Sequence, residues 1–147
     1  MSKCCTFAGH GNAPDTLKSE LITVVTNLVV NKGVNTFYIG NHGRFDALSA
    51  SAVRMVKQNH KYVKLILVLP KMSLTIEKNK EYYSDMYDEV IIPAESDAAH
   101  YKAMITVRNK WMVDNSDYII TYIRKDIGGA HSTLKYAEKK NIIVVNL

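Results

Sequence analysis

Cysteine is almost absent. The 147-residue chain has two, Cys4 and Cys5, and they are neighbours. Adjacent residues on a strand point to opposite faces, so the pair makes neither an easy disulfide nor a metal site. A disulfide framework is excluded, a reducing compartment fits, and buried inert thiols are the plain reading. Long apolar runs are lacking too: none approaches the roughly 18 residues of a membrane-spanning helix, and no signal-peptide pattern opens the chain. The expectation is a cytoplasmic protein with no membrane partner. The five histidines, at 10, 42, 60, 100 and 131, share no metal-ligand spacing, and nothing resembles a Ser-His-Asp arrangement. There is no Walker loop and no full GxGxxG, so no cofactor is expected.

What is present fits one ordinary domain, residues 1–147, with 47% hydrophobic and 22% charged residues. The net charge is +5. The lysines are scattered, without a dense basic run interleaved with aromatics. This argues for a small anionic ligand and against nucleic acid.

Three segments read as strands buried on both faces: "CCTFA" (4–8), "VKLILVLP" (63–70) and "IIVVNL" (142–147). "VNTFYIG" (34–40), "EVIIP" (89–93) and "DYIITYI" (117–123) are apolar, β-branched or aromatic as well. Between them lie helical patterns. Leu17, Leu21, Val24 and Leu28 recur at spacings of three and four before Gly33. Phe45, Leu48, Ala52, Met55 and Val56 repeat the pattern, with Asp46 in the first turn. Residues 97–113 form a stripe with Tyr101, Met104, Ile105, Arg108, Trp111 and Met112, and a last helix spans about 130–140. Residues 71–88 read as a loop with a short helix. Alternation of this kind predicts an α/β fold: a three-layer, Rossmann-like, doubly wound and mainly parallel sheet of about six strands. Such sheets bind ligands beyond the C-terminal ends of their strands.

Three strand-to-helix junctions fall on that edge. Gly9, His10 and Gly11 follow the first strand; Gly40, Asn41, His42 and Gly43 follow the second. Gly128 and Gly129 follow the fifth, and His131, Ser132 and Thr133 open the last helix. Glycines let a ligand approach the main chain, and a helix N-terminus suits a phosphate. Each junction alone is also readable as a turn, and Ser132 or Thr133 as an N-cap. Their common edge favours a binding crevice.

The stretches "CTFAGHG", "YIGNHGRFDALSASAV", "VRNKWMVDNSDYIITYI" and "GGAHSTLKYAEKK" resemble the SLOG superfamily of Rossmann-like nucleotide-ligand proteins. They are most similar to its small, uncharacterised bacterial and phage members. The superfamily includes phosphoribohydrolases with an arginine ahead of a PGGxGTxxE turn, and sensors of nucleotide-derived signals in antiphage systems. Arg108 matches that arginine by position. Gly128, Gly129 and Thr133 match the turn with one extra residue between them. Ile127 replaces the proline, and Lys135 and Tyr136 stand where the hydrolase glutamate would fall.

Without that carboxylate the site lacks an obvious catalytic group, since N-glycosidic cleavage passes through an oxocarbenium-like state. The resemblance therefore implies a homo-oligomeric protein that binds a nucleotide-derived small molecule, as a sensor or sequestering protein. Its phosphate would rest on the N–H groups after Gly9, Gly40 and Gly129, with Arg108 as counter-charge. The alternative is a nucleotide N-glycosidase using Asp46 or Glu138. Arg108 is also readable as pairing with a buried carboxylate, Asp114 or Asp117. Trp111 reads as core or subunit contact.

Overall fold

The computed structural model describes residues 2–147. Six strands form one sheet: β1 (Lys3–Gly9), β2 (Val34–Ile39), β3 (Lys64–Val68), β4 (Glu89–Ile91), β5 (Tyr118–Tyr122) and β6 (Ile143–Asn146). Every neighbouring pair is parallel, in the order β4-β3-β2-β1-β5-β6. The chain winds outward from β1 to β4, then crosses back to β5 on the other side of β1. Strand order therefore reverses between β1 and β5, and the crevice expected of such sheets opens there.

Alternating residues feed the two faces. Phe7 and Ile120 enter the main apolar core with α1 (Leu17–Lys32) and α2 (Arg44–Lys57). Ala8 and Ile119 point the other way, to Val113 of α6 (Met104–Asp114) and Ala137 of α7 (Gly129–Lys139). Helices thus cover both sides, the doubly wound Rossmann-like arrangement expected from the apolar strands. Gly33 closes α1 in the left-handed conformation and donates its N–H to the Leu28 carbonyl. Phe45 is fully buried between Phe7 and Tyr122, with centroids 6.4 and 6.2 Å away. Burying such a ring contributes about 2 kcal/mol and pins the start of α2 to the end of β1.

Two regions depart from the sequence reading. Residues 71–88 hold two short helices, α3 (Leu74–Lys78) and α4 (Lys80–Met86). Neither has a fully buried residue, and Ile76, Tyr83 and Tyr87 only half-cover the core. So few apolar contacts leave little periodicity to read. Upstream of α6, a single turn, α5 (Ala94–Asp97), is followed by bends that reach Met104. There the His100 ring accepts the Lys102 N–H at 3.2 Å, and Tyr101 swings out to 64% exposure. Tyr101 therefore leaves the apolar stripe assigned to it. Trp111 is half-buried edge-on to Tyr38 at 5.4 Å. Cys4 and Cys5 are free and buried, and burial pushes both thiols upward in pKa. No described helix is long and apolar enough to cross a membrane.

Candidate functional site

A cavity of about 400 Å³ opens at the C-terminal ends of the strands. Three junctions wall it. Gly9, His10 and Gly11 come from the end of β1, His42, Gly43 and Asp46 from the start of α2, and Gly129, Ala130 and Thr133 from the start of α7. Its remaining wall is α6, through Ile105, Arg108, Asn109 and Met112. Gly40, Asn41, Gly128 and Ser132 are not on its surface.

The first two junctions touch. Gly43 has φ +98°, and a Cβ there would lie 2.7 Å from the Gly11 Cα. Only glycine meets both demands. The Arg44 N–H donates to the Gly11 carbonyl at 2.9 Å, and the Arg44 side chain pairs with Asp15 across the same seam. At Gly9 the missing side chain makes room for Phe45, whose ring would sit 2.3 Å from a Cβ. That glycine serves packing at least as directly as any ligand. Gly129 has nothing within 4 Å of its Cβ position, so open space faces the N-terminus of α7. The first N–H groups of a helix have no partner within it. Thr133 bonds back to the Gly129 carbonyl at 2.9 Å, and Gly128 takes the cap position expected for Ser132 or Thr133.

Arg108 is 2% exposed, although it borders the cavity. Its Nη1 donates to the Val68 carbonyl at 2.8 Å and its Nε to Asn109 Oδ1 at 2.9 Å. Neither carboxylate proposed for it is its partner. Asp114 accepts from Tyr136 and pairs with Lys140, and Asp117 accepts the Cys4 N–H. The acid that Arg108 faces is Asp46. Burial pushes the Asp46 carboxyl above its ordinary value, against the His42 N–H at 2.9 Å and the nearby guanidinium, which pull it down. Burial likewise lowers Arg108, opposed by Asp46. Gly40 lies behind both: a Cβ there would sit 2.9 Å from Asp46 Oδ2 and 3.1 Å from Arg108 Nη1. Gly40 thus leaves room for both side chains at this point.

The other cations at this edge stand outside the cavity. Arg124 follows β5; its N–H donates to His10 Nε2 at 2.7 Å, and its guanidinium lies 4.2 Å from the Tyr122 ring centre. Lys125 continues that loop, and Lys102 lies over Tyr101 just before α6. Among the described residues no group of three His, Cys, Asp or Glu is placed to hold a metal.

Sequence reasoning missed Asn109, Ile105 and Ala130. The pairing of Arg108 with Asn109 carried a signal, since adjacent polar residues broke an apolar stripe. That Asp46 is the acid facing Arg108 was hidden by the 61 residues between them.

No family model matches the chain. It is 24% identical over 138 residues to the uncharacterised SPbeta prophage-derived protein YoqJ of Bacillus subtilis (strain 168), covering 84% of this chain and 81% of that protein. Among solved structures it is similar to DNA processing protein A (DprA) of Streptococcus pneumoniae, with a TM-score of 0.70 and 13% identity over 99% of this chain. DprA of Helicobacter pylori, described for its single-stranded DNA binding mode, gives 0.67 and 15% over 98%. This chain spans 50% and 64% of those two proteins. The likeness confirms the Rossmann-like fold, to which SLOG proteins also belong.

It also corrects two expectations. A nucleotide-derived small molecule as ligand, with an N-glycosidase as alternative, and the exclusion of nucleic acid both run against neighbours that process DNA, one of which binds it single-stranded. The physical reason lies in the placement of charge. Among the described residues Arg108 is the one permanent cation bordering the cavity and is partly offset by Asp46, while Arg124, Lys125 and Lys102 stand outside it. The spacing of lysines along the sequence, which argued against nucleic acid, does not decide where those charges lie once the chain is folded.

Proposed function

We propose that residues 1–147 act as one SLOG-type unit, of the kind found in prophages, whose C-terminal rim binds single-stranded DNA. The single observation that carries this reading is the meeting of three glycine junctions, the α7 N-terminus and Arg108 around one cavity, on the fold shared with DprA. Gly9, His10, Gly11, His42, Gly43, Arg108, Gly129 and Thr133 border the groove, and Gly40 shapes its floor. Backbone N–H groups at Gly129 and Ala130 suit phosphate oxygens. Lys102, Lys125 and Arg124 supply charge along the strand. Exposed Tyr101 offers a face on which a base can stack.

A single strand fits this edge better than a duplex. Unpaired bases can turn into a cavity while the backbone stays on the rim, and a duplex cannot do so without opening. The test is fluorescence anisotropy with a labelled twelve-residue oligothymidylate and with a duplex of the same length. The single strand binds, more tightly than the duplex, and log K falls with log salt by about 0.7 for each phosphate neutralised. Absence of binding at low salt, or binding that salt does not weaken, removes the proposal.

A further inference from the structure

The floor of the cavity carries two opposite charges, Arg108 and Asp46, which meet around Gly40 without bonding to each other, and this decides what enters it. Arg108 uses Nε and Nη1 on Asn109 and Val68, while Nη2 donates to no protein group among the described residues. Asp46 uses Oδ2 on the His42 N–H, and its Oδ1 accepts from none. Neither free atom is sealed away, because among the described residues Ser49 Oγ is the side-chain atom that is both fully buried and unpaired. Both residues border the cavity, so a donor and an acceptor front it together.

A phosphate suits that floor poorly. It would satisfy Arg108 but be repelled by Asp46, and its natural seat is the rim, where the α7 N-terminus and the lysines lie. An uncharged planar group with acceptors and donors on one edge satisfies both side chains. Ile105, Met112 and Ala130 give it apolar walls, and a cavity of about 400 Å³ has the size of ordinary small-molecule pockets.

Resting on the strand-binding reading, we propose that the cavity takes one unpaired base of a bound strand, and that Asp46 and Arg108 together select guanine. Guanine offers O6, with N7 beside it, to the two protons of the free Arg108 Nη2. Beside O6 it carries two adjacent donors, N1–H and the N2 amino group, and the free Asp46 Oδ1 accepts both through its two lone pairs. Adenine and cytosine present one amino group on that edge, and thymine a single ring N–H. None of them matches a carboxylate and a guanidinium with two donors next to an acceptor.

The test uses oligothymidylate twelve-mers with one central dG, dA, dC or dT, and a fifth with dI, which is guanine without its N2 amino group. Affinities are read as ratios to the all-dT strand for the intact protein and for Asp46→Asn, so a uniform change in affinity cancels. The dG strand binds the intact protein roughly tenfold more tightly than dA, dC or dT. The dI strand loses most of that advantage, and Asp46→Asn abolishes it. Equal binding of dG and dT by the intact protein overturns the proposal, as does dI matching dG, or a dG preference that survives in Asp46→Asn. The dI comparison needs no variant and stands even if Asp46→Asn fails to fold. If no strand binds at all, the strand-binding reading itself falls, an outcome distinct from binding without base preference.

Discussion

Arg108 and Asp46 face each other across Gly40, the glycine that follows β2 and opens its junction: a Cβ on it would come within 3.1 Å of Arg108 Nη1 and 2.9 Å of Asp46 Oδ2. The two side chains reach this point from α6 and α2, on opposite faces of the sheet. Gly40→Ala therefore forces the pair apart. Overpacking of this kind costs about 1–3 kcal/mol, readable by urea denaturation, and weakens single-strand binding at the same time. Unchanged stability would mean that the floor is softer than its geometry indicates.

Arg108 itself is structural as well as exposed to the cavity. Replacing it with methionine keeps the apolar stem but strands the Val68 carbonyl and leaves Asp46 without its counter-charge. Leaving a buried acceptor without its donor costs about 1–3 kcal/mol. Arg108→Lys keeps the charge and loses the fork that spans two acceptors, so its loss of stability is smaller. Thermal unfolding of the two variants separates charge from geometry.

The fold was legible because its strands are nearly continuous apolar runs, a pattern typical of a sheet covered on both faces. The run at 142–147, read as fully buried, nevertheless forms the edge strand β6, with Ile143 55% exposed. The rim was legible as glycine junctions for the same reason: parallel strands bring their ends to one edge. Three features were not. Tyr101 follows the helical spacing of Ile105 and Arg108, yet the His100 ring bonds back to Lys102 and ends the pattern. Thr133 has the composition of a cap, but Gly128 at φ +98° already occupies that position. The partner of Arg108 is set by topology rather than spacing, and no local pattern could prefer Asp46 to Asp114 or Asp117. The expectation that set nucleic acid aside rested on lysine spacing along the chain, which does not show where those charges lie after folding.

Acidity gives a second handle on the floor. Asp46 is raised in the folded protein by burial, so the folded state holds its proton more firmly than the unfolded chain does. Stability from this group is fully present below the ordinary carboxylate value and is lost as pH rises through the folded one. Asp46→Asn keeps an acceptor for the His42 N–H and lacks the buried charge. Its melting temperature is therefore above that of the parent protein at pH 7, and the gap narrows as pH falls towards 4. A gap of opposite sign would show that attraction to Arg108 outweighs burial.

Gly129 and Gly43 make a contrasting pair. A Cβ on Gly129 meets nothing within 4 Å, and its φ is not in the left-handed region, so Gly129→Ala leaves stability unchanged or raises it by about 0.5 kcal/mol. Gly43→Ala must accommodate both φ +98° and the Gly11 backbone, at a cost of about 2 kcal/mol or more. If phosphate approaches the α7 N-terminus, Gly129→Ala weakens oligonucleotide binding in a protein that melts normally. Full affinity in that variant would place the backbone of the strand elsewhere on the rim.

The salt dependence of binding reports which cations the strand uses. Lys102 and Lys125 have no acidic partner in the structure among the described residues, and each stands beside a strand end or the start of α6. Lys57 lies at the far end of α2 and is paired with Asp88. Replacing Lys102 or Lys125 by alanine therefore lowers the slope of log K against log salt by about 0.7 in magnitude, while Lys57→Ala leaves it unchanged. Because a slope counts neutralised phosphates and not overall affinity, a local loss of packing at either lysine does not imitate this result. Equal slopes in all three variants would move the strand off the C-terminal edge of the sheet.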